Sequence, residues 1–178
     1  MIVMMAPIPF LKDNLVWTGL IAAIIFAITS LTDMLDGKIA RKYNLITDFG
    51  KFMDPLADKF MVFGAMLCII YRYEAIRPVF IWAAAIVMFR ELAVTSIRLV
   101  VSGKEGLVVA ASWLGKIKTV LQVVCIVTVL LEPALALVIP FCEYYVLSYV
   151  TMIAMLVMTL WSGIDYLKFY WKFIDPTK

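Results

Sequence analysis

Apolar residues dominate five long blocks of this chain, and short polar breaks separate them. A helix that crosses a bilayer needs about 20 apolar residues at a rise of about 1.5 Å each. On that measure Leu15 to about Arg41 forms one span, and Gly50 to about Tyr71 forms the next. A third block runs from about Pro78 to Val101, a fourth from Gly115 to about Val138 with Pro133 or Pro140 ending it, and a fifth from Glu143 to about Tyr166. Asn14 is placed to cap the first of these, and Pro78 suits a first helical turn. Leu107 to Trp113 reads as a short helix on the membrane surface. Met1 to Leu11 is apolar but too short to cross alone, and it lacks the basic start and cleavage site of a signal peptide. It is expected to be the remainder of a further helix. The expectation is therefore an all-α integral membrane bundle of six transmembrane helices, the first truncated, in one domain over residues 1–178.

Composition agrees. Of 178 residues, 65% are hydrophobic and 16% charged, against roughly 45–50% and 25% in soluble domains. Mean hydropathy is +0.99. Histidine is absent, which removes imidazole acid–base catalysis and histidine metal ligation. A net charge of +3 gives no reason to expect nucleic acid. Cys68, Cys125 and Cys142 are far apart in apolar runs and read as small buried hydrophobes.

Against this apolar background, four aspartates stand out: Asp33, Asp36, Asp54 and Asp58. The first two are spaced i,i+3 and the last two i,i+4, so each pair shares a helix face. A hairpin about residue 45 would set Asp33 level with Asp58 and Asp36 level with Asp54. Asp48, in the connection, suits a turn or cap. Four carboxylates at close range stay ionised only around a cation, and an all-oxygen donor set favours Mg²⁺ or Mn²⁺.

The full pattern, Asp33-x2-Asp36-Gly37-x2-Ala40-Arg41-x8-Gly50-x3-Asp54-x3-Asp58, resembles the signature of the CDP-alcohol phosphotransferases, integral membrane enzymes of phospholipid synthesis. The resemblance implies metal ligation by Asp33, Asp36 and Asp54. It makes Asp58 the base for the acceptor alcohol, with a possible share in a second metal. It also implies that Gly37, Ala40, Arg41 and Gly50 border the CDP site. On the residues alone, Gly37 and Ala40 serve close helix packing equally well, and Arg41 serves as a cytoplasmic-side anchor equally well.

The second half bears on the acceptor. Arg90 and Arg98 lie partly on one side of their span, and Lys116 and Lys118 open the next span at the same level. Such a group suits an acceptor that itself carries phosphate. The competing readings are an ion pair of Arg90 with Glu91 or an aspartate, and a solvated helix end for the two lysines. The runs Phe89–Arg98, Leu114–Thr119 and Gly37–Lys51 look like segments of bacterial phosphatidylglycerophosphate synthases. That implies transfer of a phosphatidyl group from CDP-diacylglycerol to sn-glycerol 3-phosphate, with release of CMP, and a homodimer. Loop lysines and arginines number ten on one side (38, 41, 42, 51, 104, 116, 118, 168, 172, 178) and three on the other (12, 72, 77). This bias orients the aspartates toward the cytoplasm of a bacterial plasma membrane. Rival readings are a sister enzyme that uses inositol phosphate, serine or phosphatidylglycerol, a divalent-metal transporter, and a purely structural membrane protein.

Overall fold

The computed structural model describes residues 14–43, 48–102 and 113–170. Within them the chain forms five long helices and no strand: α1 (Leu15–Lys42), α2 (Asp48–Arg72), α3 (Arg77–Ser102), α4 (Trp113–Leu135) and α5 (Val146–Tyr170). A 3₁₀ turn, Pro140–Tyr144, precedes α5. Of the six expected spans, these five are the second to the sixth. The expected first span, most of the surface helix and the aspartate hairpin's tip lie outside the described residues. Among the described residues four segments are long and apolar enough to cross a membrane: Leu15–Ile39, Arg77–Arg98, Trp113–Leu135 and Val146–Tyr170. The protein is a multi-pass membrane protein. The fifth helix, α2, carries Asp48, Lys51, Asp54, Asp58 and Lys59 in its first half and is apolar only beyond them.

α4 is the central helix and packs against α1, α2 and α5, while α3 closes on α2 and α5. The core runs along these seams through Phe26, Met66, Ile69, Phe80, Val87, Ile126, Val129, Leu130 and Met155, all buried. The opposite faces stay apolar and exposed, as Ile28, Phe60, Trp82, Phe89, Val150 and Trp161 do. Among α-helices such a two-sided apolar surface is stable only with lipid as solvent.

Where helices in lipid pack on one another, close approach replaces the hydrophobic effect as the driving term. Gly19 shows how close. A Cβ there would stand 2.4 Å from the Leu130 carbonyl oxygen and 2.7 Å from the Tyr73 hydroxyl oxygen. Only hydrogen fits, and α1 crosses α4 backbone to backbone. The Tyr73 hydroxyl donates to the Leu130 carbonyl at 3.4 Å. Burial, the largest cause, pushes that phenol's pKa up.

Several boundaries differ from expectation, each for a local reason. Pro133 cannot donate a backbone hydrogen bond, and α4 ends two residues later at Leu135 rather than near Val138. Pro140 then opens the 3₁₀ turn, and Tyr145 closes it in the left-handed region at φ 54°. α5 therefore starts at Val146, three residues after Glu143. Asn14 stands at the N-cap of α1, but its side chain makes no cap hydrogen bond; its carbonyl instead accepts the Thr18 hydroxyl at 2.7 Å. The carbonyls ending α2 are met by Arg77, whose Nε donates to Ile70 at 2.7 Å and whose Nη2 donates to Tyr71 at 3.0 Å.

The α5 start is capped from another helix. Glu132 of α4 is fully buried. Its carboxylate accepts the backbone N–H groups of Leu147 at 2.8 Å and Ser148 at 2.7 Å, together with the Ser148 hydroxyl. These amides belong to the first turn of α5, which has no intrahelical acceptor for them, and an anion there also opposes the helix dipole. Glu132→Ala should destabilise the fold by about 1–3 kcal/mol, the cost of stranding buried donors. Glu132→Gln, which keeps one acceptor oxygen, should lose less. Thermal unfolding in detergent measures both, and equal losses would contradict a capping role for the carboxylate.

Candidate functional site

The helices alternate in direction, so the start of α2, the end of α3, the start of α4 and the end of α5 meet at one end of the bundle. α1 joins them there. Gly19 of α1 lies against Leu130 of α4. Asp33 is about 21 Å along α1 from Gly19, and Lys118 is about 18 Å back along α4 from Leu130, at 1.5 Å per residue. The aspartates of α1 and the cations of α4 thus stand at nearly the same level.

Asp33 and Asp36 are exposed on α1, and Gly37 beside them is half-buried. Asp54 and Asp58 belong to α2, at the spacing that puts them on one face. The side chains of Asp54 and Asp58, and those of Ala40, Arg41 and Gly50, lie outside the described residues. Oxygen donors alone, two from α1 and two available from α2, are the set a hard divalent cation prefers.

The basic residues divide. Arg90 and Lys118 come together around Glu91. The Lys118 ammonium pairs with Glu91 Oε1, and Arg90 Nη1 reaches the same oxygen at 3.5 Å. Lys118 is only 3% exposed, so it is a buried seam residue and not the loop cation it was counted as. Arg90 Nη2 also donates to the Ser162 hydroxyl of α5 at 2.9 Å, while its buried Nε has no hydrogen-bond partner. Lys116 goes elsewhere. Two residues from Lys118, it points to the far side of α4, exposed, with its ammonium 5.4 Å from the Trp113 ring centre.

Arg98 stands two turns beyond Glu91 on α3. Its guanidinium lies 5.9 Å from the Tyr166 ring centre, with Nε 3.5 Å from the Tyr166 hydroxyl. Tyr166 is buried. From α2, Lys59 donates to the Thr95 hydroxyl, which itself donates to the Glu91 carbonyl at 2.7 Å. A polar seam therefore ties the aspartate-bearing α2 to α3, α4 and α5.

Glu91, Ser162, Gly163 and Tyr166 are the contributors that composition and charge counting did not single out for the site. A Cβ on Gly163 would come within 3.2 Å of Arg90 Cγ, so this glycine makes the space in which Arg90 lies. The sequence carries a signal for them. Thr159, Ser162, Gly163 and Tyr166 fall at i, i+3, i+4 and i+7, a stripe of polar or small residues along an otherwise apolar span.

Comparison with known proteins places the chain among named relatives. The sequence profile described as CDP-alcohol phosphatidyltransferase matches residues 1–162. A Bacillus subtilis (strain 168) protein named CDP-diacylglycerol–glycerol-3-phosphate 3-phosphatidyltransferase is 44% identical over 137 residues, covering 74% of this chain and 68% of that one. Proteins of the same name from Salmonella choleraesuis and Yersinia enterocolitica are 35% and 34% identical, covering 85% and 88% of this chain and 79% and 82% of theirs.

The two lysines of α4 separate by experiment. Lys118→Met leaves Glu91 buried with only Arg90, which should cost up to about 3 kcal/mol, the low end for breaking a buried pair. Lys116→Met should stay within about 0.5 kcal/mol, as exposed substitutions do. Chemical unfolding of the two variants in the same detergent gives the comparison, and equal effects would refute the pairing.

Proposed function

The chain belongs to the CDP-alcohol phosphatidyltransferase family, and from that premise we propose that it transfers the phosphatidyl group of CDP-diacylglycerol to sn-glycerol 3-phosphate. The products are phosphatidylglycerophosphate and CMP. One oxygen–phosphorus bond forms between the glycerol 1-hydroxyl and the lipid-side phosphorus, and the bond from that phosphorus to CMP breaks. The hydroxyl proton passes to Asp58.

The charge balance of the basic seam favours an acceptor that carries phosphate, and the relatives' name favours glycerol 3-phosphate over inositol phosphate. Among the described side chains Lys59, Arg90, Arg98 and Lys118 contribute four positive charges and Glu91 one negative, leaving an excess of positive charge. A phosphate monoester carries about −1.5 to −2 at pH 7. It would offset most of that excess where serine or another acceptor without net negative charge would not, and cations as little exposed as Arg90 and Lys118 are costly without such a partner. The relatives' name supports the same acceptor.

Each residue then has a task. Arg90, Arg98 and Lys118 hold the acceptor phosphate, and Lys116 draws anions toward the seam from the exposed side. Gly37, Ala40, Arg41 and Gly50 border the CDP moiety. Asp33, Asp36, Asp54 and Asp58 hold Mg²⁺ or Mn²⁺, which when bound would neutralise the pyrophosphate oxygens. The level of Asp33 relative to Lys118 brings the donor and acceptor groups to one end of the bundle, where lipid meets water and acyl tails can stay in the bilayer. The full protein in this reading is a six-span bundle and a homodimer in a bacterial plasma membrane. Its site faces the cytoplasm, the side that the lysine and arginine bias marks.

Purified protein given CDP-diacylglycerol, Mg²⁺ or Mn²⁺ and a panel of alcohols should release CMP with glycerol 3-phosphate and not with serine or inositol phosphate. CMP release with another acceptor alone would replace the proposed one, and no release with any would refute the transferase reading. Asp58→Asn should lower kcat by at least about 100-fold, the lower bound for losing a general base.

A further inference from the structure

Glu91 is the one described carboxylate within the basic seam, and it sits where a carboxylate is least expected in an anion site. It contacts two of the seam cations, Arg90 and Lys118, through one oxygen, Oε1, and is itself 15% exposed. Arg90 and Lys118 come from different helices and repel one another in a region of low dielectric. Something must hold them together before an anion arrives. The other groups touching them cannot do so, because Ser162 is neutral and Gly163 offers only space. Asp165, the carboxylate nearest in sequence on α5, is exposed. Glu91 is also fixed from behind, since its carbonyl accepts the Thr95 hydroxyl that Lys59 of α2 engages.

We propose that Glu91 is a positioning residue for the acceptor phosphate, holding Arg90 and Lys118 side by side as a preformed receptor while leaving the seam an excess of positive charge. The proposal rests on the transferase reading above. Glu91 touches neither substrate. Its negative charge offsets the repulsion between two cations, so the phosphate meets an assembled site and does not have to assemble it. A site preorganised in this way binds the acceptor more tightly with little effect on the lipid donor.

Four variants test this: Glu91→Gln, Glu91→Asp, Lys118→Met, and Lys118→Met combined with Glu91→Gln. Glu91→Gln, close in shape and uncharged, should raise KM for glycerol 3-phosphate tenfold or more. KM for CDP-diacylglycerol should stay within twofold and kcat within threefold. Glu91→Asp, which keeps the charge, should recover most of the loss. In the Lys118→Met background, Glu91→Gln should change KM by no more than twofold, because the residue it acts through is already gone. A rise in both KM values together, or full additivity with Lys118→Met, would overturn the proposal in favour of a purely structural pair. Binding gives a readout that does not need turnover: glycerol 3-phosphate should raise the thermal midpoint of the wild-type protein and leave that of Glu91→Gln unmoved. Equal rises, or none in the wild type, would overturn the proposal. Failure of the transferase reading would appear separately, as wild-type protein that releases no CMP with glycerol 3-phosphate.

Discussion

A carboxylate inside a membrane span must find a positive partner, and most of the site's architecture follows from how Glu91 finds two. A charge at mid-helix costs about 2.5–3.5 kcal/mol on insertion scales. Lys118 and Arg90 offset that cost by converging on Glu91 from α4 and from its own helix. Satisfying one buried group thereby sets the register of α3 against α4. Arg90 extends it to α5 through Ser162, and Thr95 extends it to α2 through Lys59. Apolar packing alone would tolerate sliding by a helical turn, because lipid and leucine are equally good neighbours. The polar seam does not.

The other end of the bundle is held by a second buried carboxylate with a different kind of partner. Glu132 takes backbone amides rather than cations, so it fixes where α5 begins and leaves no charge for a substrate. Between the two ends, contact is by small residues. Gly19 lets α1 lie on the α4 backbone, and Gly163 lets Arg90 lie flat on α5. The division of labour is physical. One carboxylate neutralises a helix end completely, while the other leaves cations in excess, and only the second can recruit an anion.

Much of this was legible in the sequence, and what was not has a common cause. Apolar block length located all five described helices, because in a membrane protein length and hydropathy are themselves the constraint. Ends were less legible where turn geometry intervenes, as at Pro133, which stops α4 early, and at Tyr145, whose left-handed backbone delays α5. The four aspartates announced a family through their spacing together with Gly37, Ala40, Arg41 and Gly50. The basic residues did not sort themselves: Lys116 and Lys118 look alike along the chain, yet one lies on an aromatic ring at the surface and the other is buried. That difference depends on which face of α4 meets α3, a tertiary fact. The role of Tyr166 is a tertiary fact too, since an aromatic near a helix end suits either an interface or an arginine, and Arg98 decides.

Placing the seam at the level of the aspartates has a consequence for the chemistry. Transfer between a lipid-anchored phosphorus and a water-soluble alcohol requires both to meet at a boundary that neither occupies alone. Carboxylates and a group of unbalanced cations at nearly the same level of the bundle would simply neutralise each other if the helices let them. The ties through Thr95, Glu91 and Ser162 prevent that by committing the cations to α3, α4 and α5. The carboxylates of α1, exposed at their end of the bundle, stay open to a metal. Holding opposite charges at nearly the same depth but on different helices keeps each set from being cancelled by the other. The buried ion pair matters less for what it attracts than for the collapse it forbids.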